Sequence, residues 1–331
     1  MDNNRLLLII NPVSGTSDKR KLAGRLVSRL TAEGFEVETA YTTCRGDATR
    51  LARQGVEKGF TGVLACGGDG TVNEIAKALC DTPVALGIIP AGSGNGLARH
   101  LGIPIDPMLS LDVIAERHIV PCDYATVNDS RFFCTFGVGF DAAVSHRFAR
   151  MGKRGLASYI RSAFTEFVHF NPQIYTVSAN GVTVTEKAFL VAVCNASQYG
   201  NNAYIAPGAS ITDGLLDVTI VHSGNPLSAA VLGFDLMTGY INRNTLIQTF
   251  RAPSAVIYRT EGGEAHLDGE PVMMPDILDF RCHHRGLRIF TTTSKTQFRP
   301  VITPMRSMMS DWRIALGHIF GRKDHDRRSI D

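Results

Sequence analysis

The chain has 331 residues, 44% of them apolar and 20% charged, with mean hydropathy +0.02, a formal net charge of +3 and a pI near 8.5. That length points to two domains, and the composition excludes disordered, fibrous and strongly basic nucleic-acid-binding classes, so no nucleic-acid partner is expected. Seven cysteines, scattered singly with no Cys-x-x-Cys pair, read as reduced thiols of a cytoplasmic protein. The apolar run at residues 6–10 is too short for a signal peptide and no run reaches the roughly 18 residues of a spanning helix, so any membrane contact is expected to be peripheral.

In chain order, short apolar runs at residues 6–10, 35–41, 62–66 and 84–89 read as strands. Between them, Leu22, Leu26, Val27 and Leu30, then Ala48, Leu51, Ala52 and Val56, then Val72, Ile75, Ala76 and Leu79 repeat at helical spacing. Strands alternating with helices predict an open parallel α/β domain over residues 1–125. Past residue 126 the texture becomes strand-like segments with turn signals, of which Asn180-Gly181 between β-branched alternations predicts a type I′ hairpin. A mostly antiparallel β-sandwich domain is expected over residues 126–303, with helix-like stretches near residues 141–168 and 226–237. Residues 304–331 form a basic amphipathic tail.

Three strand ends open into loops rich in Gly, Ser and Asn: Asn11, Pro12, Val13, Ser14 and Gly15; Gly67, Gly68, Asp69, Gly70, Thr71, Val72 and Asn73; and "PAGSGN", which contains Ser93. Backbone N–H groups at a helix start face outward with the positive end of the helix dipole behind them, so such loops bind phosphate. At the tips of neighbouring parallel strands the three would share the edge where open α/β sheets bind ligands. A nucleoside triphosphate is the matching polyanion, with Asp69 near the Mg²⁺ that bridges its phosphates. No Walker A sequence is present.

"NPVSG", "GGDGTVNE" and "PAGSGN", followed by "DGLLDV" and "LDGEP", resemble the diacylglycerol kinase catalytic-domain family of lipid kinases, which shares its nucleotide-domain architecture with NAD kinases. The resemblance implies an α/β domain that binds ATP, a β-sandwich domain, and a cleft where the hydroxyl of a membrane lipid meets the γ-phosphate. By position it implies that residues 11–15, Thr42, residues 67–73 and Ser93 contact ATP. It also implies that Glu270 is the proton acceptor, with Asp69 taking that role in sphingosine kinases, and that Ser210, Asp213 and Leu215 hold a structural Mg²⁺. The third loop departs from the bacterial Asn-Asp-Phe-Ala form: Asn95 is followed by Gly96 and Leu97, closer to eukaryotic long-chain-base kinases. Diacylglycerol and sphingoid bases are both candidate acceptors, and retention of Asp69, Glu74 and Glu270 argues against a silent scaffold.

Within "LDGEP", spacing alone does not choose between Asp268 and Glu270 as the carboxylate in the cleft. His283-His284 points to opposite faces of a strand and is discounted as a metal pair. Arg147, Arg150, Arg154 and Arg161, set among Phe148, Leu156, Ile160, Phe164 and Phe167, read either as a lipid-facing helix or as a core face with a solvated face. Met305, Met308, Met309, Trp312, Leu316, Ile319 and Phe320 share one helical face, followed by Arg322, Lys323, Arg327 and Arg328. That face predicts either contact with a bilayer or packing on the protein.

Overall fold

A computed structural model describes residues 4–13, 19–150, 170–241, 244–293 and 298–320. The first half alternates β1 (Arg5–Ile10), α1 (Lys19–Ala32), β2 (Glu36–Tyr41), α2 (Asp47–Glu57), β3 (Gly62–Gly67), α3 (Asp69–Leu79) and β4 (Ala85–Pro90). The short helices α4 (Gly96–His100) and α5 (Ser110–Ala115) follow. The strands pair in parallel in the order β2-β1-β3-β4. β3 and β4 are buried at every position, as their unbroken apolar runs require of strands covered on both faces. Leu7, Ile9, Val63, Ala65 and Leu86 pack beneath α2 and α3 on one side; Leu6, Leu8, Ile10, Leu64 and Ile89 pack beneath α1 and α5 on the other. The expected open α/β sheet is present.

The second half is antiparallel. β5 (Ile119–Val127), β6 (Ser130–Phe132), β7 (Thr135–Gly139) and α6 (Phe140–Arg150) precede the hairpin of β8 (Gln173–Ala179) and β9 (Val182–Cys194). Asn180 and Gly181 at its turn have φ of 50° and 76°, the two positive values that a type I′ turn demands. Then come β10 (Leu216–His222), α7 (Pro226–Thr238), β11 (Ile247–Ala252), β12 (Ser254–Arg259), β13 (Gly263–Leu267), β14 (Glu270–Met274), β15 (Ile277–Phe290) and α8 (Ile302–Phe320). The inward side chains of this sandwich-like domain, among them Phe132, Phe136, Tyr175, Val193, Val218 and Phe280, form one core. Rings of Phe136 and Phe280 meet edge to face at 5.0 Å.

β15 joins the halves. Its first part pairs with β12 and β5, its register then shifts between His283 and Leu287, and Ile289 lies opposite Leu86 of β4. At the shift Arg285 has φ 59°, and the two histidines diverge: His283 stacks on Tyr124 at 4.5 Å while His284 Nδ1 bonds Asp123 at 2.9 Å. The strand that completes the second domain therefore also extends the parallel sheet, which fixes the two loop systems relative to one another.

Candidate active site

The tips of β1, β3 and β4 lie side by side, with Ile10 opposite Cys66 and Gly67 opposite Pro90. Asn11 ties the first loop to the second, its N–H donating to the Cys66 carbonyl at 3.0 Å and its Nδ2 to Thr71 Oγ1 at 3.1 Å. Its Oδ1 accepts from the Val13 N–H, which turns Pro12 and Val13 outward. Ser14 and Gly15 lie outside the described residues. Thr42, buried, donates its N–H to the Ile10 carbonyl beside that loop.

The second and third loops touch backbone to backbone. A Cβ on Gly92 would sit 2.4 Å from Gly68 Cα, so only glycine allows this approach. Asp69, in the first turn of α3, accepts from the N–H groups of Asn95 at 2.8 Å and Gly96 at 2.7 Å. Its carboxylate thus faces the N-terminus of α4 and clamps the two loops together, two charge-assisted bonds in place of an electrostatic repulsion. Thr71, Val72 and Asn73 are buried, whereas Gly70 and Ser93 stand exposed at the tips.

Beside these loops, the β2–α2 connection is held by two acids. Glu74, reaching from α3, accepts from the N–H groups of Gly46 at 3.0 Å and Ala48 at 3.2 Å, so this carboxylate caps α2. Asp47 accepts from Thr43 Oγ1, Thr43 N and Cys44 N, bonds that hold its carboxyl well below the usual range. Arg45 is left projecting from this connection, and its Nη2 lies 3.3 Å from Glu270 Oε2.

The second domain brings the β13–β14 hairpin to the same place. A Cβ on Gly70 would lie 3.8 Å from Glu270 Oε1, so the carboxylate borders the second loop. Its neighbour Asp268 is turned the other way, and its two oxygens accept from the N–H groups of Phe133, Cys134 and Thr135 at 2.7 to 2.9 Å. Asp268 fixes the hairpin from within, and Glu270, half exposed, faces the cleft. Of the two carboxylates that spacing left open, Asp268 is thus occupied by backbone N–H groups. Asp268 and Gly269 have φ of 51° and 83°, the Asp-Gly turn signal.

Sequence reasoning missed three residues beneath this turn. His266 Nδ1 accepts from the Gly269 N–H at 3.3 Å and its Nε2 donates to Asp141 Oδ2 at 3.1 Å, where the Tyr199 hydroxyl also donates at 2.9 Å. His266, Asp141 and Tyr199 are separated by at least 58 residues in sequence, so only the His266-x-Asp268 spacing could have hinted at the support.

Ser210, Asp213 and Leu215, the expected structural Mg²⁺ ligands, lie together in the loop before β10. Asp213 is already ion-paired with Arg251 Nη2 and accepts from the Leu215 N–H at 3.1 Å, while Arg251 Nε reaches Asp217 at 3.3 Å. Ser210 Oγ is bonded to Thr212. The same loop is anchored by Asp123, which accepts from the Gly214 N–H at 2.7 Å. Asp213 and Asp217 share the single guanidinium of Arg251, which leaves one negative charge in excess, and no cluster of three or more His, Cys, Asp or Glu that could hold a metal ion occurs among the described residues. Arg251 is the cation paired with this loop, and no chemistry is routed through a divalent ion there.

The diacylglycerol kinase catalytic domain family matches residues 5–127, and the YegS C-terminal NAD kinase beta sandwich-like domain family matches residues 134–290. A "Probable lipid kinase YegS-like" of Chromohalobacter salexigens is 30% identical over 287 residues, covering 85% of this chain and 88% of that one. A diacylglycerol kinase of Bacillus subtilis is 28% identical over 272 residues, covering 80% and 89%. In fold, the chain is similar to a crystal structure of a diacylglycerol kinase from Bacillus anthracis, with TM-score 0.70 at 22% identity over 88% of this chain and 98% of the other. With both domains matched and the loops and hairpin assembled around one cleft, the chain belongs to the diacylglycerol kinase and YegS family of lipid kinases.

Proposed function

We propose that the chain transfers the γ-phosphate of ATP, carried with Mg²⁺, to the hydroxyl of a membrane lipid, diacylglycerol foremost, with Glu270 as proton acceptor. The observation that carries this reading is Glu270 at the second phosphate loop, delivered from the other domain. Phosphoryl transfer asks a protein to place attacking and leaving oxygens in line, to neutralise charge and to take one proton. The lipid oxygen bonds to the γ-phosphorus, the bond from that phosphorus to the β–γ bridging oxygen breaks, and the hydroxyl proton passes to a Glu270 oxygen. Residues 11–15, Thr42, residues 67–73 and Ser93 form the triphosphate cradle. The exposed guanidinium of Arg45 offers positive charge beside the transferring group.

Asp69 is given a positioning role, because both its oxygens are occupied by the Asn95 and Gly96 N–H groups. A sphingoid base is the second reading of the acceptor, favoured by Asn95-Gly96-Leu97 in the third loop. Labelled ATP with mixed micelles of diacylglycerol, sphingosine, dihydrosphingosine and ceramide tests both. Label in phosphatidic acid supports the first acceptor and label in a long-chain-base phosphate the second. Label in neither class overturns the proposal.

A further inference from the structure

Helix α8 lies beyond both matched family regions, which end at residue 290. It is attached to the protein through one edge. Arg99, on α4, bonds Asp311 at 2.9 Å and Ser307 at 3.3 Å, and its Nε donates to the Gly94 carbonyl in the third phosphate loop at 3.1 Å. Pro304 is buried on that same side. At 100° per residue, positions 304, 307 and 311 face the body, and Met305, Met308, Met309 and Trp312 form a flanking row centred about 120° round the helix from them. These four are 56%, 45%, 51% and 71% exposed, so this part of the apolar face is left open to solvent. α7 adds exposed Val231, Phe234 and Met237, and is joined to the start of α8 by the Val301 N–H to the Thr238 carbonyl at 2.7 Å.

From this geometry we infer that α8 is a bilayer-docking helix which seats its Met305-Met308-Met309-Trp312 face in an anionic lipid surface and, through Arg99, holds the third phosphate loop at that surface. A row of large apolar side chains with an aromatic residue suits the headgroup–acyl boundary. Arg306 and Arg313, both exposed, flank the row on one side with a charge that complements anionic headgroups, whereas further on Arg322, Lys323, Arg327 and Arg328 are largely offset by Asp324, Asp326 and Asp331. The acidic residue of the helix, Asp311, is turned inward onto Arg99 and leaves the outward side cationic. The inference rests on the lipid-kinase reading in one respect, that an acceptor embedded in a bilayer must be met where it resides.

Trp312 is the sole tryptophan of the chain, so its fluorescence reports on this face alone. The full-length protein is titrated with vesicles of neutral phosphatidylcholine and with vesicles containing phosphatidylglycerol, and Trp312 emission and co-sedimentation are followed. The expected result is a blue shift with anionic vesicles, quenching by lipids brominated in the acyl chain, and weakening by high salt. Met308→Ser combined with Met309→Ser keeps the reporter and lowers partitioning about tenfold or more, since two buried apolar side chains are lost. Turnover of that variant on a short-chain acceptor dispersed as monomers stays at the wild-type level, while turnover on vesicles falls. An unshifted Trp312 spectrum with vesicles, in a protein that still phosphorylates the short-chain acceptor, overturns the docking helix and leaves the kinase reading standing. A shift that appears with rising protein concentration alone, with doubled mass in sedimentation, overturns it in favour of a second copy of the chain. Absence of turnover on every acceptor, with the vesicle response intact, removes the kinase reading and leaves the helix.

Discussion

Replacing Asp69 with Asn separates positioning from proton transfer. The carboxylate accepts two backbone N–H groups, at 2.8 and 2.7 Å, that belong to the N-terminus of α4. An asparagine oxygen keeps one of them, and its amide nitrogen meets the other donor to donor. Hydrogen bonds to a charged group contribute roughly 1.5–3 kcal/mol each, so losing one and opposing the other's partner costs about 2–4 kcal/mol. In a chain of this size that lowers the melting temperature by several degrees. The loops held together at Gly68 and Gly92 spread, and the triphosphate cradle with them. Asp69→Asn is therefore expected to lose stability, ATP affinity and turnover together, checked by thermal unfolding, ATP binding by calorimetry, and rates at saturating ATP. A variant with wild-type melting temperature and ATP affinity but turnover reduced about 100-fold refutes this reasoning and assigns the proton acceptor to Asp69.

Two further changes probe the supports. Gly92→Ala forces a methyl group to within 2.4 Å of Gly68 Cα, so the second and third loops must separate by more than 1 Å. A misplacement of that size costs turnover on the order of 10²-fold, read as a rise in the KM for ATP and a fall in kcat; unchanged kinetics would show that the loops do not act as one cradle. His100, on α4, accepts from the Ser197 N–H at 3.1 Å, and burial pushes its pKa down to about 4. Between pH 6.5 and 4 the unfolded chain binds a proton there that the folded chain does not, so stability falls as pH drops through this window, by roughly 3 kcal/mol in all. Urea unfolding at pH 7.5 and 4.5 checks it: His100→Asn should show a smaller loss on acidification than wild type, and an equal loss contradicts the assignment.

The parallel sheet and its three loops were legible because their signals are local: buried strands read as apolar runs, and each run ends in a Gly-, Ser- or Asn-rich loop next to a helical repeat. The Asn180-Gly181 hairpin was legible for the same reason, a turn that needs positive φ at two adjacent residues. Partnerships between distant residues were not. Whether Asp268 or Glu270 enters the cleft depends on N–H groups at residues 133–135, and the purpose of Glu74 depends on where α2 begins. Nor was Arg251 as the partner of Asp213 legible, since a guanidinium supplied from β11, 38 residues away, leaves no signature in the "DGLLDV" motif. The amphipathic tail was visible in sequence, but only Arg99 reveals which side of α8 the body takes. Within the basic stretch, Arg154 and Arg161 lie outside the described residues, while Arg150 pairs with Glu264.

The central claim is that the second domain supplies the proton acceptor to loops built by the first, and Glu270→Gln tests it most directly. The side chain is half exposed and pairs with the exposed Arg45, an ion pair of a kind that contributes little to stability. Single-turnover rates at saturating ATP and lipid should fall about 10²-fold or more, with melting temperature and ATP affinity at wild-type values. A rate near that of wild type, or a loss of rate matched by a loss of ATP binding, contradicts the account.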